Sequence, residues 1–437
     1  MKGWERAKDL ADRTPESRNR YVDLLRAVSI AAVVVGHWLI AAPWMDHGRI
    51  RLDHMLGLAP WTQWLTWVFQ VMPVFFIVGG YSNAVSWESA RSSGRDYGTW
   101  VGSRLRRLIA PVVPLLLLWA VAGMVAHGFD IPAPVVRIAS QAALVPVWFL
   151  AVYVLVVLVA PLTHAAWRRF GMASFWVLVA CAIGIDAGRF AAGLVGPAWA
   201  NYLVVWMAVH HIGYMWRDGR LGGVRKSLPF MLGGIVALLA LVRLAGYPLS
   251  MVGVPGDEVS NTLPPSLAML ALGAAQGGLL LAFEAPARRW LRRTRPWAAT
   301  ILVNGMIMSI YLWHLTAMVL LIGVLRLLGG LGLGLAPGSS AWWASRPLWM
   351  VVLAVILLGF LAVFGRFERL REREVPERMA AWRAITGATL VCLALALAAL
   401  DGIGGGSFLG VRLWVVMVAL AGAALVGAAP RIQRRAA

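Results

Sequence analysis

Cysteine is almost missing from this 437-residue chain: Cys181 and Cys392 stand alone, each inside an apolar run, so no disulfide framework is indicated. Charged residues are scarce, at 14 %, and the period-two alternation of half-buried strands is not found. Nor does the chain hold an HExxH, GxSxG or GxxxxGK(S/T) pattern, which argues against a zinc protease, a serine-elbow hydrolase and a P-loop ATPase. The glycine-rich GGLGLGLAPGSS at 329–340 lacks the preceding strand of a phosphate cradle and reads as a flexible connector. Adjacent His210 and His211 point to different faces of a helix, and no metal site is expected.

Apolar length is abundant instead. Hydrophobic residues make up 60 % of the chain, with 23 Trp and a mean hydropathy of +0.72. A bilayer core takes roughly 20 consecutive apolar residues to cross. About twelve such runs can be marked, the first at 22–42 and the last at 411–429. The fold class that follows is all-α, a polytopic membrane helical bundle of about twelve transmembrane helices.

Net charge is +20, which in a soluble chain would raise nucleic acid as a partner. The placement of the charges says otherwise. With the N-terminus inside, 31 of the 40 Lys and Arg fall in inner segments and eight in outer ones, Arg26 lying within the first span. That asymmetry recurs loop after loop and puts both termini in the cytoplasm of a multi-pass cell-membrane protein. The basic excess reports topology and anionic lipid, and no nucleic-acid partner is expected. The expected divisions are a cytoplasmic segment 1–20, a membrane core 21–366, a charged cytoplasmic linker 367–384 with a helix broken at Pro376, two additional transmembrane helices in 385–430, and a cytoplasmic tail 431–437. The apolar run after residue 20 is longer than a signal-peptide core and is taken as a retained first helix.

That first helix, in RYVDLLRAVSIAAVVVGHWL, carries Arg26 near its inner end and His37 in its outer half. Eleven residues return to nearly the same helix face, and at about 1.5 Å each they separate the two groups by about 16 Å along the axis. Singly, each has an ordinary explanation: an interfacial arginine that snorkels, a histidine satisfied by a neighbour. On one stripe they point to a wet cavity, because ionisable groups in spans face bundle interiors.

The stretch VDLLRAVSIAAVVVGHW resembles the opening of the acyltransferase-3 family of integral membrane acyltransferases, whose hallmark is an arginine, ten residues and a histidine. Further similar stretches follow in order: MPVFFIVGGYSNA at 72–84, SRLRRLIAPVVP at 103–114, VWFLAVYVLVVLVAP at 147–161 and SIYLWHLTAM at 309–318. The resemblance implies a ten-helix core that takes an acyl group, usually acetyl, from coenzyme A thioester as co-substrate. The acceptor would be a hydroxyl of a sugar, glycolipid or small molecule. It makes His37 the catalytic base, and a neutral imidazole titrates close to working pH.

The same resemblance assigns Arg104 and Arg107, with Arg26, to the phosphates of acyl-CoA, for which forked guanidinium groups suit bidentate contacts. Arg104 and Arg107 share a face at spacing three, and positive-inside charge explains either one alone. Asn83, Trp148, Tyr153, Tyr311 and His314 are implied to line the substrate channel. Tyr311 and His314 also share a face, although a lone buried histidine is commonly a packed one. Two departures stand out. Relatives often carry an acidic residue soon after the WFL at 148–150, where this chain has Ala151, Val152 and Tyr153; and Gly79–Gly80 replaces a serine–glycine pair, keeping backbone approach but losing a hydroxyl. The competing reading is a proton-coupled secondary transporter or lipid flippase, a common use for twelve helices with both ends inside, although no repeated halves are visible.

Overall fold

A computed structural model describes residues 2–16, 18–371, 378–406 and 408–428. The long apolar stretches are helical, as hydrocarbon demands of a backbone that must satisfy its own hydrogen bonds. Among the described residues nine helices are long and apolar enough to cross a membrane, or ten if Leu267–Ala282 and Glu284–Trp290, bent by 50°, make one span. Against the expected twelve, two runs form shorter helices: Asn201–Arg217 has 17 residues and Leu413–Leu425 has 13. Pro376 of the charged linker and the 431–437 tail lie outside the described residues.

The all-α expectation needs one correction, because two small antiparallel hairpins occur. Strands β1 (Ala41–Asp46) and β2 (Arg49–His54) pair directly after the first long helix, and β3 (Gly404–Gly406) pairs with β4 (Gly410–Val411). The β1–β2 turn places His47 and Gly48 both at positive φ, 46° and 77°, the two-residue connection whose twist matches the strands. Neither hairpin falls within a candidate membrane span, in keeping with the cost of open strand edges in hydrocarbon. The β1 edge is met by the chain itself, Met45 N–H donating to the Leu333 carbonyl at 2.7 Å.

The chain folds as two compact units, each assembled from separated stretches. One contains the described residues up to 89 together with 159–305 and 330–347; the other contains 90–158, 306–329 and the described residues from 348 onward.

In the first unit the Met72–Ser92 helix meets Asn201–Arg217 at two glycines. A Cβ on Gly80 would collide with the His210 carbonyl, and one on Gly213 with the Ile77 carbonyl. Helices in lipid associate by such close backbone approach, since apolar contact alone gains little over lipid tails. Between Pro60 and Gln70 the amphipathicity is inverted relative to a soluble protein. Thr62, Thr66 and Gln70 are buried on one stripe, while Trp61, Trp64, Leu65, Val68 and Phe69 are exposed. The buried stripe is fully engaged: Thr66 Oγ1 accepts from Met251 N–H at 2.8 Å, and Gln70 Nε2 donates to the Met251 carbonyl at 2.9 Å. At the N-terminus the Lys2–Asp12 helix lays Ala7 and Ala11 on Trp297 and Ala298 of Thr294–Asn304.

In the second unit Ala381–Asp401 and Leu413–Leu425 cross at Gly387 and Gly422, where each glycine faces the other's carbonyl. They are bonded into the unit: Cys392 Sγ contacts the Ala151 carbonyl at 3.3 Å, and Gln141 Nε2 donates to the Leu400 carbonyl at 2.6 Å. Both cysteines are free thiols.

Candidate active site

The Arg20–Ile40 helix starts at Asn19, whose side chain accepts the Tyr21 N–H. One turn in, Asp23 is buried and binds two arginines. Arg18 Nη2 lies 2.8 Å from Asp23 Oδ2, and Arg26 Nη1 lies 3.1 Å from Asp23 Oδ1. Arg26 Nη2 donates to Ser82 Oγ of the Met72–Ser92 helix at 2.5 Å. Two guanidinium groups on one carboxylate leave one positive charge in excess, and the Arg26 side chain keeps 33 % of its surface accessible. A held yet accessible arginine is suited to a phosphate, which accepts forked donors at little rearrangement.

His37 stands in the last turn of the same helix and is half-buried. Its carbonyl accepts the Ala41 N–H, the bond that ends the helix as β1 begins. From the end of β2, His54 comes within electrostatic reach of His37. Burial pushes the His54 imidazole down to about 4, so it is neutral at neutral pH.

Asn83 is buried rather than open, and its Nδ2 donates to His210 Nε2 at 3.2 Å. His211, next in sequence, faces elsewhere, its Nδ1 donating to the Met207 carbonyl at 2.7 Å. The first unit also gathers an ionic network that its sequence did not announce. Glu88 accepts from Arg217 and lies 3.2 Å from His164 Nε2, Arg217 Nη1 reaches Asp218 at 3.1 Å, and Trp167 Nε1 donates to Asp218 at 2.8 Å. The only sign of it in the sequence is a histidine and a glutamate near the ends of apolar runs.

The second unit holds the other candidates. Phe149 stacks on Tyr153, with ring centroids 5.9 Å apart, and meets Tyr311 edge-on at 5.8 Å, with Trp148 beside it at 6.4 Å. Tyr311 donates its hydroxyl proton to the Pro146 carbonyl at 2.5 Å, and fully buried His314 donates from Nδ1 to the Tyr311 carbonyl at 2.6 Å. Trp148, Tyr153 and Tyr311 are thus brought together around Phe149, with His314 against Tyr311, ring centroids 6.1 Å apart. Arg104 and Arg107 lie on the Tyr97–Ile109 helix, Arg104 over the Trp100 ring at 5.0 Å and Arg107 exposed, its charge felt by Glu368. Glu368, another residue sequence reasoning passed over, accepts from the Met308 N–H at 3.1 Å and from the Ser309 N–H at 2.9 Å. It satisfies the opening turn of the Ile307–Leu327 helix from a distant position, where a carboxylate complements the helix dipole. Among the described residues no group of three or more His, Cys, Asp or Glu side chains could hold a metal ion.

The arrangement sets a positive site at one end of a long helix and a half-buried imidazole near the other. A family model described as an acyltransferase domain, acyltransferase-3, matches residues 19–366. No curated protein and no solved structure matches the chain. The match takes in the first long helix, the Gly80 crossing and the aromatic cluster, and it covers well over half the sequence; the chain belongs to the acyltransferase-3 family of membrane acyltransferases.

Proposed function

We propose that the chain moves an acetyl group from acetyl-CoA, supplied at the cytoplasmic side of the cell membrane, to a hydroxyl of a carbohydrate, lipid or small-molecule acceptor. His37 is the general base. Its ring takes the hydroxyl proton while the oxygen attacks the thioester carbonyl; the C–S bond then breaks, and the proton passes to the departing thiolate. Such a base is typically worth roughly 10² to 10⁴ in rate. Arg26, Arg104 and Arg107 are assigned to the phosphates of acetyl-CoA, while Trp148, Tyr153, Tyr311 and His314 shape the path of the acyl group and its acceptor. Asn83, bonded to His210, is assigned to the lining of the substrate channel.

The observation that carries this reading is the single helix with Arg26 anchored but accessible at one end and His37 half-buried near the other. The test uses the full chain in lipid nanodiscs. Acetyl-CoA, and not adenosine, should raise the thermal unfolding midpoint, and extracts of the host's lipids and glycans should gain the mass of one acetyl unit. His37→Ala should keep the thermal shift and lose the transfer. Transfer at the wild-type rate in that variant overturns the assignment, and no response to acetyl-CoA overturns the donor.

A further inference from the structure

The hairpin after the first long helix is too well built to be a passive connector. Its register pairs Ala41 with His54, and Ala41 is the residue whose N–H closes on the His37 carbonyl. Directly paired residues of an antiparallel ladder have Cα atoms about 5 Å apart. The register therefore returns His54 to the end of the helix that carries His37, although seventeen positions separate them in sequence. Shifting that register by one residue would turn His54 to the opposite face.

Several contacts hold the register. Trp44 Nε1 donates to Asp53 Oδ2 at 2.6 Å, and Arg51 Nε lies 2.7 Å from Asp46 Oδ2. Met45 is tied to Leu333, and Ala42, Met55 and Trp342 form a buried apolar cluster beneath the strands. These same contacts occupy the neighbouring charges. Asp53 is engaged by Trp44, Asp46 by Arg51 and His47, and Arg346 is stacked over Trp342 at 4.0 Å. Arg49 is exposed at the hairpin tip, and the Met55–Leu58 helix carries no titratable side chain. On the outer half of the first long helix His37 is the one ionisable group.

His54 itself is left with a function to find. Its Nδ1 is buried, and among the described residues nothing hydrogen-bonds to it. A buried ring nitrogen without a partner is costly, so native structures seldom keep one without a use. We propose that His54 is a positioning residue for His37: it sets the orientation and tautomer of the His37 ring and shares the proton that His37 takes from the acceptor hydroxyl. In that step a proton leaves the hydroxyl for His37, the two imidazoles hold it between them, and it leaves on the coenzyme A thiolate. No other reactant enters. A neutral neighbour suits this task, whereas a second positive charge beside the His37 imidazolium would oppose it.

This inference rests on the His37 reading, and its test separates the two. Full-length His54→Ala and His54→Gln are assayed in nanodiscs for kcat and KM against pH. In parallel, pH-dependent carbethoxylation of His37 by diethyl pyrocarbonate is followed by peptide mass spectrometry, which needs no transferase activity. His54→Ala should lower kcat by about 10- to 100-fold, the range found when a metal-ligating imidazole loses the group that orients it. KM for acetyl-CoA should hold, the acidic limb of kcat should move, and the pH midpoint of His37 carbethoxylation should shift. His54→Gln, which keeps a polar group there, should recover most of the rate. Unchanged kcat, pH limb and carbethoxylation midpoint in folded His54→Ala would overturn the proposal. A His37→Ala variant that still transfers acetyl would sink the base assignment, whereas a carbethoxylation midpoint unmoved by either His54 change would sink only the coupling.

Discussion

Two histidines, one in each unit, are held in opposite ways within long apolar helices. His314 is fully buried, and its Nδ1 donates to the carbonyl of Tyr311 on its own helix, against aromatic rings. His37 is half-buried in the final turn of its helix, where a hairpin brings a second imidazole toward it. A ring tied to its own backbone and enclosed has its geometry set by the fold. A half-buried histidine at a helix end, next to a hairpin, is not closed in by its own helix in the same way. Polar residues in apolar helices therefore divide by what satisfies them, and the residue type alone does not make that division.

The sharpest way to break the comparison is to truncate each ring. His37→Ala should cut acetyl transfer by roughly 10² to 10⁴ with little change in thermal midpoint. His314→Ala should empty a closed site and cost about 2 kcal/mol or more of stability. Its transfer rate per folded molecule should fall far less. Thermal unfolding and transfer assays on both variants settle it: a His37→Ala protein that melts early, or a His314→Ala protein as stable as wild type, would erase the distinction.

Next in size is Gly80→Ala, which tests the scaffold between these extremes. The added methyl meets the His210 carbonyl, a backbone atom that can yield only if the two helices part. Overpacking of this kind typically costs about 1–3 kcal/mol. A lowered midpoint together with weakened transfer is expected; an unchanged midpoint would show that the crossing is looser than its geometry.

Much of this was legible in the sequence, for definite reasons. The spacing of eleven puts Arg26 and His37 on one stripe, and the spacing of three puts Tyr311 beside His314, because helix periodicity is local. Asp23, three residues back from Arg26 on the same helix, was within reach of the same periodicity and was passed over, whereas the Ser82 partner was not legible, since it arrives from a helix 56 residues away. The Glu88, His164 and Arg217 network was hidden for the same reason. The β1–β2 hairpin is a different failure. Arg49, Ile50, Arg51, Leu52 and Asp53 do alternate between charged and apolar, but five residues of alternation inside an outer connector are easily taken for loop. The stripe Thr62, Thr66 and Gln70 has clear helical spacing, yet its polar side faces inward because lipid, not water, takes the other side.

Arg26→Lys sharpens the contrast between anchoring and chemistry. Lysine keeps the charge but loses the fork that binds Asp23 and Ser82 together. KM for acetyl-CoA should rise about tenfold, equivalent to about 1.4 kcal/mol, while kcat stays within a factor of a few. A fall in kcat with KM unchanged would move Arg26 from donor binding to the chemical step.

The smallest expected effect lies outside both sites, at the start of the Tyr97–Ile109 helix in the second unit. Asp96 is its N-cap, and its Oδ1 accepts the Thr99 N–H at 2.7 Å. That bond holds the Asp96 carboxyl below the usual carboxylate range. A carboxyl whose folded pKa is depressed stabilises the fold above its ordinary pKa, and the contribution disappears as acid protonates it through the lowered value. Asp96→Asn keeps an oxygen acceptor without the charge, so it should lower the thermal midpoint slightly at neutral pH and remove this part of the acid dependence. Transfer by the folded protein should not change, because the cap sets a helix start and touches no reacting group. Equal acid sensitivity in wild type and Asp96→Asn would show that the charge on Asp96 adds nothing to the cap.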